Sequence, residues 1–114
     1  MIHVTIYQNN RGECVGFLSE GHAGYSEEGS DVVCAAASVL IINTMNAIEL
    51  YAKDPCSLVT NEETGRIAYH VISGHPSDDA SLLLRTMILG LEEMADDENY
   101  AEYIDLTFEE VQQP

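Results

Sequence analysis

Between Gly21 and Ser38 the chain reads Gly-His-Ala-Gly-Tyr-Ser-Glu-Glu-Gly-Ser-Asp-Val-Val-Cys-Ala-Ala-Ala-Ser. His22 can act as a general base, and Cys34 can act as a nucleophile once its thiol proton is removed. A thiol ionises only slightly at neutral pH, but a helix start, with its unpaired N–H groups, favours the thiolate. The spacing predicts that Cys34 opens a helix, which places it in such a setting. Asp31 and Ser38 lie three residues before and four after Cys34, so helical spacing puts both on its face. Each has a plainer role available. Asp31 can cap the helix, and Ser38 can bond back to its own backbone. Cys34 itself can be a small core residue, and His22 a turn residue bonded to a carbonyl. The intervening loop, Ala23 to Ser30, is long enough to bring its ends together. Gly21 and Gly29 are its expected hinges, and the loop can serve as a lid.

The elements that must position these residues follow from periodicity. Ile2, Val4 and Ile6 alternate with His3, Thr5 and Tyr7, which predicts a strand with one buried face. Asn9 to Gly12 has turn chemistry, and Val15 and Phe17 belong to a second strand that ends near Gly21. Ser30 or Asp31 is the expected cap of a helix from about Val32 to Ala52, stopped by Asp54-Pro55. Val33, Ala37, Leu40, Ile41, Met45 and Ile48 form its inner stripe, while Val32, Ala36, Val39 and Ile42 make further faces apolar. A third strand at Leu58-Val59 and a fourth at Ile67 to Ile72 flank the turn Asn61 to Gly65. Ser77 caps a second helix, Asp78 to Ala95, and Ile104, Leu106 and Phe108 mark a fifth strand. The order β-β-α-β-β-α-β predicts a single α+β domain over 1–114, with two helices packed on a small mixed sheet. Strand order within that sheet is not legible.

Composition narrows the function. The 114 residues include 20 acidic and 4 basic side chains, a formal net charge of -16. That balance disfavours nucleic acid and anionic membranes as partners, and suits a basic protein or plain solubility. The run Glu92 to Glu110 carries nine of the acidic residues and no basic one. The apolar run Val32 to Ile42 is too short to cross a bilayer, and no signal peptide begins the chain. Three widely spaced cysteines make neither a disulfide framework nor a zinc motif. No metal or other cofactor is expected, and a reducing cytoplasm is the expected compartment. Cys14, expected in a strand, and Cys56, expected in a turn, have no neighbouring histidine in sequence and read as spectators.

The blocks Gly21-His22-Ala23, Tyr25 and Asp31-Val32-Val33-Cys34-Ala35, with Ser38, resemble the ribosomal-processing cysteine protease family, and the element order and length agree with it across essentially the whole chain. The resemblance implies a cytoplasmic homodimeric endopeptidase that removes the N-terminal extension of large-subunit ribosomal protein twenty-seven. It implies cleavage after aromatic residues, with Cys34 as nucleophile and His22 as base. Two other classes remain compatible with the residues: a non-catalytic acidic module binding a basic ribosomal protein or assembly factor, and a cysteine hydrolase of small molecules.

Overall fold

Ile2, Val4 and Ile6 point to one side of strand β1 (Ile2–Gln8) and are almost fully buried. This is the alternation the sequence predicts. A computed structural model describes the backbone of residues 1–21 and 28–111, with side chains over the same range except 28–31. β1 turns through Asn9–Gly12 into β2 (Cys14–Glu20), antiparallel to it, with a register irregularity at Tyr7/Gln8. Helix α1 (Glu28–Ala47) follows and tightens into a π-helical turn, Ile48–Ala52. Then come β3 (Cys56–Asn61), β4 (Arg66–Val71), α2 (Asp78–Asp96) and β5 (Ile104–Glu110). The five strands form one mixed sheet in the order β3-β4-β2-β1-β5, parallel only between β1 and β5.

The register explains which face is buried. Ile6 pairs with Phe17, Phe17 with Tyr69, and Ile2 with Ile104, so these side chains share a face. They form one core with Val33, Ala37, Ile41 and Ile48 of the first helical stretch and Ala80, Leu84, Met87 and Leu91 of α2. Both helices therefore cover the same side of the sheet. Ser77 accepts from the Ala80 N–H and caps α2 as expected, and Asp54 holds the cap by accepting from the Ser77 backbone N–H at 2.8 Å.

Four expectations need correction. Helix α1 begins at Glu28, so Ser30 and Asp31 lie inside its first turns and do not cap it. Gly29 becomes helical in the same way, and the expected loop to Ser30 is shorter. The helical stretch does end at Ala52 as expected, but the stop is Lys53, whose left-handed φ of 62° lets its N–H reach the Ile48 carbonyl before Asp54-Pro55 is met. Cys56 opens β3, pairs with Val71 and does not lie in a turn. Finally, Val32–Ala52 is long and apolar enough to cross a bilayer by length and composition, which the shorter run Val32 to Ile42 is not. Its inner stripe is part of the protein core, while Val32, Val39 and Ile42 are exposed.

Candidate active site

Cys34 opens onto a cleft of about 380 Å³ at one end of the sheet. Five elements build it, α1 and the strands β1 to β4. The first turns of α1 and their continuation supply Cys34, Ala37, Ser38, Ile41 and Ile42. The sheet supplies Ile2, Ser19 and Ile67, and the β3–β4 hairpin supplies Thr60, Asn61, Glu62, Gly65 and Arg66. Gly21, the residue before His22, also lines it. The cleft exists because the hairpin extends past the helices. Thr60 and Asn61 are exposed although their strand belongs to the sheet.

Gly21 is a structural necessity at this end. Its φ is +105°, and a Cβ there would stand 2.2 Å from the Met1 carbonyl oxygen. Only glycine meets both conditions. Its N–H donates to the Thr64 carbonyl at 3.3 Å, tying the end of β2 to the hairpin. Asn61 is oriented too. Its Oδ1 accepts from the N–H groups of Glu63 and Thr64, which leaves its amide N–H groups available to a ligand.

Of the residues singled out from sequence, the structure brings Cys34, Ser38 and Gly21 to one cleft. Ser38 is half-buried and lines the cleft, and among the described residues its hydroxyl makes no bond to its own helix, so the plainer role does not apply to it. Thr44 takes that role, donating to the Leu40 carbonyl at 2.6 Å. His22, the lid and the Asp31 side chain lie outside the described residues. Cys34 sits nearly two turns into α1 and does not open it, so the helix-start field, which fades within the first turn, cannot by itself set up its thiolate. For the same reason its N–H lies within the helical ladder and is not an orphan donor for an oxyanion. The sequence reading also missed Ser19, Asn61 and Arg66 as cleft residues. Ser19 carried a signal, a polar residue at a core-facing position of an otherwise apolar strand.

The other two thiols differ. Cys14 is buried, and burial pushes its thiol up to about 11, with a bond to the Gly16 carbonyl offsetting part of the rise. Cys56 is raised as well, first by burial and further by the Asp54 carboxylate, against a lowering from its bond with Tyr69. Both are held toward the neutral, unreactive form.

Fold and cleft together define a small α+β protein with a half-buried cysteine lining a cleft at one end of its sheet. The family model described as Cysteine protease Prp matches residues 1–105. The chain belongs to that family and is a cysteine protease. It is 32% identical over 109 residues to the ribosomal processing cysteine protease Prp of Staphylococcus aureus, covering 95% of this chain and 99% of the relative. Its fold is similar to that of the S. aureus protease solved with a substrate peptide. The TM-score is 0.86 at 28% identity, over 96% of this chain and all of the other. A second S. aureus structure, with a covalently linked product peptide, matches with a TM-score of 0.84 at 30% identity and the same coverage.

Proposed function

We propose that this protease removes the N-terminal extension of large-subunit ribosomal protein twenty-seven, with Cys34 as nucleophile and His22 as its base. The observation that carries the reading is the position of Cys34, the one thiol of the three that lines the cleft together with Gly21. A relative solved with a covalently linked product peptide supports covalent chemistry of this kind.

The steps balance as follows. His22 takes the Cys34 thiol proton, and the thiolate attacks the scissile carbonyl carbon. The C–N bond breaks as His22 returns the proton to the leaving amine. A water molecule, giving a proton to His22, then attacks the thioester carbonyl carbon; the C–S bond breaks, the peptide leaves as a carboxylic acid, and His22 returns the proton to the departing thiolate. Asp31, in the first turns of α1, and Ser38, one turn beyond Cys34, are the supporting residues. Gly21 and Gly29 bracket the segment that carries His22.

The cleft floor of Ile2, Ala37, Ile41 and Ile67 suits the apolar residues expected before the cut. The net charge of -16 suits a basic substrate beyond it. A homodimer in the cytoplasm completes the proposal. The outer face of α1 supports it, because Val32 and Val39 are 54% and 67% exposed beside Ala35, Ala36 and Met94. The test is cleavage of a peptide spanning the extension and the mature N-terminus. Wild-type protein should cut it once, after an aromatic residue, and Cys34→Ala and His22→Ala should not. Cutting by a folded Cys34→Ala variant would overturn the assignment.

A further inference from the structure

Three polar side chains are buried in the described structure, and two of them are fully accounted for. Asn9 bonds through both ends of its amide, accepting from the Arg11 and Glu13 N–H groups and donating to Glu13 and to the Gly74 carbonyl. Thr44 donates to Leu40. The third, Ser19, is 6% exposed, and among the described residues its hydroxyl has no bonding partner. No sealed side-chain nitrogen or oxygen lacks a partner among these residues. The Ser19 hydroxyl is therefore not sealed off, and Ser19 lines the Cys34 cleft.

The sheet register places it. Ser19 stands opposite Val4 on one side and Ile67 on the other, and Ile67 stands opposite Thr60. The row across the sheet thus reads apolar, hydroxyl, apolar, hydroxyl on the helix-facing side. A core position between Val4 and Ile67 would be served better by alanine or valine, since an unused hydroxyl costs free energy when it leaves bulk water. Depth decides what it meets. Thr60, Asn61, Glu62 and Arg66 are exposed and rim the cleft, Cys34 is half-buried, and Ile2, Ser19, Ala37 and Ile41 are buried, so a peptide backbone meets the rim first. Only a side chain reaches the floor, passing Ile2, Ala37, Ile41 and Ile67.

We propose that Ser19 is a specificity-determining residue, the polar base of a subsite for a substrate side chain with an apolar stem and an uncharged hydrogen-bonding tip. This rests on the reading of the Cys34 cleft as the peptide-binding site. A charged tip is disfavoured because, among the described residues, no charged group lies at the floor to pair with it. An apolar tip leaves the Ser19 hydroxyl buried without a partner, which is the stronger form of discrimination.

The test uses peptides spanning the ribosomal-protein cut. Each residue before the cut is set in turn to Tyr, Phe, Gln and Leu, and each peptide is assayed with wild-type protein, Ser19→Ala and Ser19→Thr. At one position, Tyr over Phe or Gln over Leu should lower KM about tenfold in the wild type, with kcat little changed. Ser19→Ala should erase that preference at that position alone, and Ser19→Thr should restore part of it. The melting temperature of Ser19→Ala should match or exceed the wild type, because no internal bond is lost. The same peptides are also titrated against Cys34→Ala and against Cys34→Ala carrying Ser19→Ala, so binding is read without turnover. Binding that depends on Ser19 without cleavage by the wild type would keep the subsite and sink the proposed hydrolysis. Cleavage with identical preferences in wild type and Ser19→Ala, a loss spread evenly over all positions, or no binding of any peptide, would overturn the subsite.

Discussion

The two ends of this sheet each hold a cysteine in a cleft of about 380 Å³, yet they are built for opposite outcomes. At one end Cys34 stands over a floor of Ile2, Ile67 and Ser19, with Arg66 at the mouth and the early turns of α1 as its wall. At the other, Cys56 stands among Glu49, Asp54 and Tyr69, where the same helical stretch ends. Burial and the Asp54 carboxylate both raise the Cys56 thiol. The helix's own C-terminal end, partly negative, acts in the same direction. A cleft and a thiol are therefore not enough for a nucleophile. Burial beside a carboxylate disfavours the Cys56 thiolate, whereas the proposed base, His22, follows directly in sequence on Gly21 of the Cys34 cleft.

The largest expected effect removes the thiol at the Cys34 end. Cys34→Ala should lower kcat/KM on the order of 10⁴-fold or more, whereas Cys56→Ala should leave it within about twofold. Circular dichroism should show both variants folded. Comparable losses at the two positions would break the contrast between the ends.

Next in size is the backbone at the Cys34 end. Gly21→Ala meets the Met1 carbonyl and a φ of +105° together, so it should cost about 2–4 kcal/mol by denaturant unfolding. Gly12→Ala, also at positive φ but with open space around its Cβ, should cost only about 1 kcal/mol. Equal costs would mean that the close packing under Gly21 is not needed.

The third effect is a pH dependence of stability. The Cys14 thiol lies above its ordinary value of 9.0 in the folded protein, at about 11. The folded state holds this proton more tightly than the unfolded chain. Its contribution is complete below pH 9 and is lost as pH rises through 11. The melting temperature should fall across that window, and Cys14→Ala should flatten the fall. The smallest effect is at the α2 cap, where Ser77→Ala should cost about 1 kcal/mol.

Much of this was legible in the residues. Alternation in Ile2-Val4-Ile6 and the inner stripe of α1 are one-dimensional signals, and both appear in the structure as predicted. Ser77 as a cap is equally local. The start of α1 was misplaced because Ser30 and Asp31 are good caps by residue type, while the helix runs through them to Glu28. Sheet order was not legible, since β1 joins β5 by pairing across about a hundred residues and no local pattern encodes it. The cleft followed the same rule. Cys34 announced itself through its neighbours in sequence, but Ser19, Asn61 and Arg66 reach it only through strand register. Ser19 could have been suspected, being polar where Phe17 and the opposing strand demand an apolar side chain.

The central claim, that Cys34 and no other thiol attacks the substrate, is tested most directly by trapping the acyl-enzyme. Protein mixed with the extension peptide is quenched in acid within the first turnovers, digested, and read by mass spectrometry. The account predicts an adduct equal to the peptide up to the cut, joined by a thioester to the fragment that carries Cys34. Fragments carrying Cys14 and Cys56 should be unmodified. An adduct on Cys56 or Cys14, or cleavage with an equally intense adduct in Cys34→Ala, would contradict it.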